Sequence, residues 1–148
     1  MQNARNFITR TYNKGDYIMF GFVKNDNGEN NPIIEMKPAA AATYNVGETL
    51  KYNASTGYVE KTYGTNKPGY ISAFSGAVSA GAQIAVNPVY DGQTWQTTFA
   101  ADGSALKAGA KVTIHTDSAQ VTATTTNGVA TLVANGAATG GMVLVKFE

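Results

Sequence analysis

At 148 residues the chain suits one domain, long enough to bury roughly two-thirds of its unfolded surface. It contains no cysteine, which excludes a disulfide framework, a thiolate nucleophile and a cysteine-ligated metal. Eleven basic and ten acidic residues leave a net charge of +1 with no run of either sign, which argues against duplex nucleic acid and against a polybasic membrane patch.

Charged residues make up only 14% of the chain, below the roughly 25% usual for soluble domains. A nearly neutral surface of Thr, Asn, Ser and Gln follows, and such a surface lies against a partner at little desolvation cost. No apolar run approaches the roughly 18 residues that span a bilayer. The first six residues lack the basic-then-apolar order of a signal peptide, so a soluble protein made in the cytoplasm is expected.

Residues 1–16 are polar around Phe7 and Ile8 and hold too few apolar groups for a helix or core strand. They read either as a loose tail or as an arm ordered by a partner, with Phe7 and Ile8 as anchors. An aromatic run at 17–23 and the apolar residues Ile33, Ile34 and Met36 flank a polar stretch containing Asn27-Gly28, which predicts a hairpin. Asp26 and Glu29 lie at its tip without the alternating ligand order of a calcium loop, so no metal is expected. Residues 37–43 read as a linker, because four alanines after Pro38 are too few to sustain a helix.

Beyond the linker one phrase occurs three times: Val46-Gly47-Glu48-Thr49-Leu50-Lys51-Tyr52, Ala80-Gly81-Ala82-Gln83-Ile84-Ala85-Val86 and Ala108-Gly109-Ala110-Lys111-Val112-Thr113-Ile114. The Gly supplies a turn conformation that a side chain resists, and the alternation after it puts one face of a short strand on a core. The spacing is too uneven for a solenoid, whose stacked units need one fixed period. The copies are therefore expected as equivalent strands of one compact β domain.

Further strands are predicted at 58–61, 70–74, 94–99, 120–126, 129–133 and 142–147, the pair around Asn127-Gly128 forming a hairpin. Pro88 cannot donate to a ladder, which confines its strand to an edge or a break and makes Pro88, Tyr90 and Trp95 a candidate contact region. The predicted class is an all-β sandwich or barrel with an extended N-terminal arm or hairpin. Its divisions are an arm and hairpin at 1–36, a linker at 37–43 and a compact domain at 44–148.

Catalysis by side chains needs an activated nucleophile, a tuned acid–base pair or a metal. His115 is the sole histidine, and its neighbours Asp117 and Ser118 form no nucleophile elbow, so it reads as a strand-end residue. A single histidine without cysteine gives zinc too few good ligands. Asp91 and Asp102 are the acids to inspect for glycoside hydrolysis, yet both sit in Asp-Gly turns, where Asp bonds local backbone. No phosphate-cradling glycine motif precedes a helix. No enzyme activity, cofactor or metal is expected, and the chain reads as a binding or structural module. A carbohydrate-binding or adhesive module would use Trp95, Tyr90, Tyr58 and Tyr63 as an aromatic platform, although a lone Trp in a β domain more often belongs to the core. A small glycosidase or esterase ranks third.

The Gly-led strand starts, the stretch Tyr70-Ile71-Ser72-Ala73-Phe74-Ser75-Gly76-Ala77-Val78-Ser79-Ala80-Gly81-Ala82 and the closing Gly141-Met142-Val143-Leu144-Val145-Lys146-Phe147 carry a resemblance. Over about residues 43–148 the chain resembles the head-decoration, or capsid cement, proteins of tailed bacteriophages. That resemblance implies a β-tulip fold, a place on the outer surface of the virion and the major capsid protein as partner. It implies self-association as well, commonly as a trimer at threefold positions. It also implies an N-terminal arm that pairs with the shell, which makes Phe7, Ile8, Tyr12 and Tyr17 the candidate capsid contacts.

Overall fold

The protein is described by a computed structural model covering residues 19–29 and 32–148. The Gly-led phrase is a hydrogen-bonded turn. At 45–48, 79–82 and 107–110 the fourth amide donates to the first carbonyl at 3.3, 3.1 and 3.1 Å. Gly47, Gly81 and Gly109 hold the third position at φ +89°, +86° and +91°, the conformation a type II turn demands there. Each of these glycine amides is anchored across the fold at 2.8 Å, on the carbonyls of Ser72, Ala39 and Leu132 respectively. The same turn recurs at 90–93 around Gly92 and at 138–141 around Gly140. One local device therefore launches five strands, including two that the repeat did not mark.

The strands are β1 (Gly21–Asn25), β2 (Glu35–Pro38), β3 (Ala42–Tyr44), β4 (Thr49–Tyr52), β5 (Val59–Lys61), β6 (Tyr70–Ser72), β7 (Gly76–Val78), β8 (Gln83–Pro88), β9 (Gln93–Thr98), β10 (Lys111–Val112), β11 (Ala130–Leu132) and β12 (Met142–Lys146). They form one five-stranded sheet in the order β1-β9-β12-β11-β10, a second in the order β2-β8-β6-β4-β5, and a two-stranded sheet of β3 and β7. The protein is an all-β sandwich, and there is no helix among the described residues. Of the three repeat strands, β4 and β8 flank β6 in the second sheet, whereas β10 is an edge of the first.

Two cores follow from strand alternation. The larger buries Phe22, Trp95, Leu132 and Val145 of the first sheet with Phe20, Phe99 and Phe147, and takes Ile71 from the second sheet. Phe22 meets Trp95 edge to face at 5.3 Å. The smaller core lies on the other face of the second sheet, where Leu50, Val59, Ile84 and Val86 are covered by Tyr44, with Phe74 and Val78 packed against them. Ile71 and its neighbour Tyr70 thus point into different layers, and the second sheet works on both faces. Burial of each large apolar side chain contributes about 1.5–3 kcal/mol.

Four expectations need correction. The turn at Asn27-Gly28 forms, with the Gly28 amide on the Asn25 carbonyl at 2.9 Å, but β1 and β2 do not pair. β1 joins β9 in one sheet and β2 joins β8 in the other, because Phe22 and Trp95 meet in the larger core. Residues 37–43 are not a linker: they end β2 and begin β3, and Ala39 is fully buried. Thr122 and Thr124 bond to Thr113 while Val129 bonds to Val112, so the segments around Asn127-Gly128 flank one strand instead of each other. Of the edge or break expected at Pro88, the edge is not found, since β8 lies between β2 and β6; the strand instead ends at Pro88. Pairing with β2 ends at Val86, which leaves Pro88 beyond the last residue from which β2 requires an amide.

Candidate binding site

The second sheet is covered over only part of its length. Leu50 sits beneath Tyr44, whereas Tyr52, two residues further along the same face, is 45% exposed. In register, Leu50 opposes Tyr70 and Tyr70 opposes Pro88. The uncovered end of the face is a groove of about 420 Å³ bounded by Glu35, Tyr52, Lys67, Tyr70, Pro88 and Tyr90.

Its walls are held by specific bonds. Tyr52 and Tyr70 pack edge to face at 5.4 Å and 86°, and the Lys37 ammonium lies 5.9 Å and 5.6 Å from the two ring centres. Lys37 also pairs with Glu35 at 3.1 Å. Hydrogen bonding to Glu35, then to Tyr52, holds the Lys37 pKa above its ordinary value. Burial, with help from Tyr52, raises that of Tyr70, so at neutral pH Lys37 is an ammonium and the Tyr70 phenol keeps its proton. Tyr90 is 51% exposed on the turn joining β8 to β9. Buried Gln93 braces that turn, its Oε1 accepting the Tyr90 amide at 2.7 Å and its Nε2 donating to the Pro88 carbonyl at 3.2 Å.

A neighbouring depression of about 630 Å³ is lined by Asp26, Lys67, Asp91 and Glu148 among others. Asp26 pairs with Lys146 at 2.8 Å, Asp91 with Lys67 at 3.4 Å, and Glu148 accepts the Gly92 amide at 3.1 Å. Its acids are committed to the chain itself. Among the described residues no group of three or more His, Asp or Glu is placed to hold a metal ion.

Asp102 accepts the Ser104 amide at 3.0 Å, the turn role its Asp-Gly context predicts, and that bond lowers its pKa. Asp117 accepts the amides of Ala119 and Gln120 at 2.8 and 3.1 Å and lies 3.3 Å from His115. Trp95 is 1% exposed and belongs to the larger core, so it is neither an edge contact nor part of an exposed platform. Tyr58 leans over Gly81 and is not part of the groove lining. Tyr63 is exposed on its own loop. Phe7, Ile8, Tyr12 and Tyr17 lie outside the described residues. Tyr52 and Tyr70, which sequence reasoning did not assign to a site, are brought to Tyr90 by strand register, for which the sequence carried no signal.

A second exposed feature lies on β2, an edge of its sheet. Ile34 and Met36 are 64% and 57% exposed, with exposed Ile33 beside them. Alternation places Ile34 and Met36 on the opposite face from Glu35 and Lys37, so the apolar strip and the tyrosine groove are separate surfaces.

Compared with known proteins, the chain matches no family model, no curated protein and no solved structure. No helix among the described residues is long and apolar enough to cross a membrane.

Proposed function

We propose that the protein is a structural component of a phage virion that binds the outside of the assembled head and stabilises joints between major capsid proteins. The observation that carries this reading is β2, an edge strand among the described residues, at whose start Ile33, Ile34 and Met36 are exposed. A strand edge offers backbone donors and acceptors that natural sheets ordinarily blunt with charge or proline, as Glu35, Lys37 and Pro38 do along β2, so the docking surface lies at the apolar start of the strand. Apolar side chains there suit addition of a strand from a neighbour, with main-chain bonds supplying affinity where few charges are available to pair.

The chemistry suits cement. A ligand that recognises only the assembled geometry stabilises that assembly by mass action. Trimeric self-association lets weak contacts act together through effective concentration. The sequence resemblance over about residues 43–148 supplies the choice of partner.

The test compares occupancy on expanded, DNA-free heads for the intact chain, Ile34→Lys, Met36→Lys and a chain lacking residues 1–16. Each change is expected to abolish or sharply reduce bound protein while the circular dichroism spectrum stays that of the parent. Unchanged occupancy of both lysine variants contradicts docking through β2, and unchanged occupancy of the truncated chain contradicts a role for the arm.

A further inference from the structure

We propose that the groove formed by Tyr52, Tyr70 and Tyr90 is a carbohydrate-binding site that takes two or three units of a neutral glycan. The inference does not depend on capsid binding, since the groove and the apolar strip of β2 face different ways.

The first argument is shape with rigidity. A volume of about 420 Å³ falls in the range of small-ligand sites, roughly 300–1,000 Å³. Two of its rings project from paired strands and lock each other edge to face, and the third stands on a turn braced by buried Gln93. Tyrosines already held in place lose little freedom when they accept a ligand.

The second argument is the pairing of charges. Glu35 is joined to Lys37 and Lys67 to Asp91, while Lys51, also in the lining, donates to the Asn66 Oδ1 at 3.4 Å, so each charged group of the groove already has a polar partner. What remains is a set of acceptors and donors side by side: a carboxylate, ammonium groups and phenol hydroxyls. A sugar presents the matching set, with hydroxyls that both donate and accept and a C–H face that stacks on aromatic rings. A purely apolar ligand would leave these polar groups desolvated without partners, and a polyanion would leave Glu35 facing like charge.

Tryptophan fluorescence is the wrong readout, because Trp95 is buried in the larger core and does not line the groove. The full chain is instead applied to an array of neutral hexose and N-acetylhexosamine oligosaccharides of two to six units, printed beside sialylated and sulfated glycans and a proline-rich peptide. Neutral glycans that bind are then titrated by calorimetry. We expect a neutral glycan to bind, Tyr90→Ala and Tyr52→Ala each to weaken it at least tenfold with an unchanged thermal midpoint, and Ile34→Lys to leave it intact. Both tyrosines are half-exposed, so neither substitution opens a core. The proposal is overturned if no neutral glycan binds, if only anionic glycans or the proline-rich peptide bind, or if affinity survives both tyrosine substitutions.

Discussion

The two ends of one sheet face carry the same residue type under different conditions. At one end Tyr44 is fully buried over Leu50 and Val86, its hydroxyl donating to the Ala40 carbonyl at 2.7 Å. At the other, Tyr52 and Tyr70 share a pitch of β-sheet that the small β3–β7 sheet does not cover, and Tyr52 remains 45% exposed. The aromatic side chain is equally suited to both roles; what separates them is whether a second layer lies over it. Core tyrosines should thus be costly to alter for stability and groove tyrosines for binding, and the two kinds of loss should not mix.

The sharpest separation is Trp95→Ala against Tyr52→Ala. Emptying the Trp95 site in the larger core costs about 3–5 kcal/mol, which lowers the thermal midpoint of a domain this size by roughly 10 °C or more. Tyr52→Ala stays within about 0.5 kcal/mol of the parent. Comparable midpoints for the two variants in a thermal melt would break the distinction.

Next come two glycines that share one turn type. At Gly109 a Cβ meets nothing within 4 Å, so Gly109→Ala bears only the strain of φ +91°, about 1 kcal/mol. At Gly47 the added Cβ would overlap the Cβ of Met19, so Gly47→Ala costs about 2–3 kcal/mol. Urea unfolding of both variants orders them, and equal costs would show that Met19 yields freely.

A smaller effect is expected from hydroxyls. Tyr44→Phe removes a buried donor and costs about 1 kcal/mol, whereas Tyr52→Phe is neutral for stability. Chemical denaturation of the pair should show that gap.

The smallest effect concerns Lys37. Its pKa is raised above the ordinary 10.5, so the folded state favours the ammonium. The pairing with Glu35 therefore contributes fully below 10.5 and is lost as pH rises through the higher folded value. The stability difference between the parent and Lys37→Met, read by urea midpoints, should be present at pH 7 and shrink as the pH is taken above 10.5. A difference that persists there would locate the contribution in packing of the lysine stem.

Much of the fold was legible because it is local. The Gly-led turns at 47, 81 and 109 could be read directly, since positive φ at that position excludes most side chains. The alternation of Ile84 with Val86 likewise marked an inward face. Pairing was not legible. Asn27-Gly28 makes the same turn whether or not its flanks become partners, and the decision to split β1 from β2 lies with Trp95, some seventy positions away. Four alanines look like a linker until Ala39 is seen beneath Tyr44, where a larger side chain would not fit so closely. The site was partly legible: Tyr90 was identified, but Trp95 was drawn to it by proximity in sequence, although alternation buries it. Tyr52 and Tyr70 are near each other only through the register of β4 and β6.

Co-sedimentation of the full chain with expanded, DNA-free phage heads, titrated to saturation, tests whether the protein binds the assembled shell. Saturable pelleting in multiples of three copies per threefold position, abolished by Ile34→Lys, is the expected result. Protein that stays in the supernatant at every head concentration would contradict it.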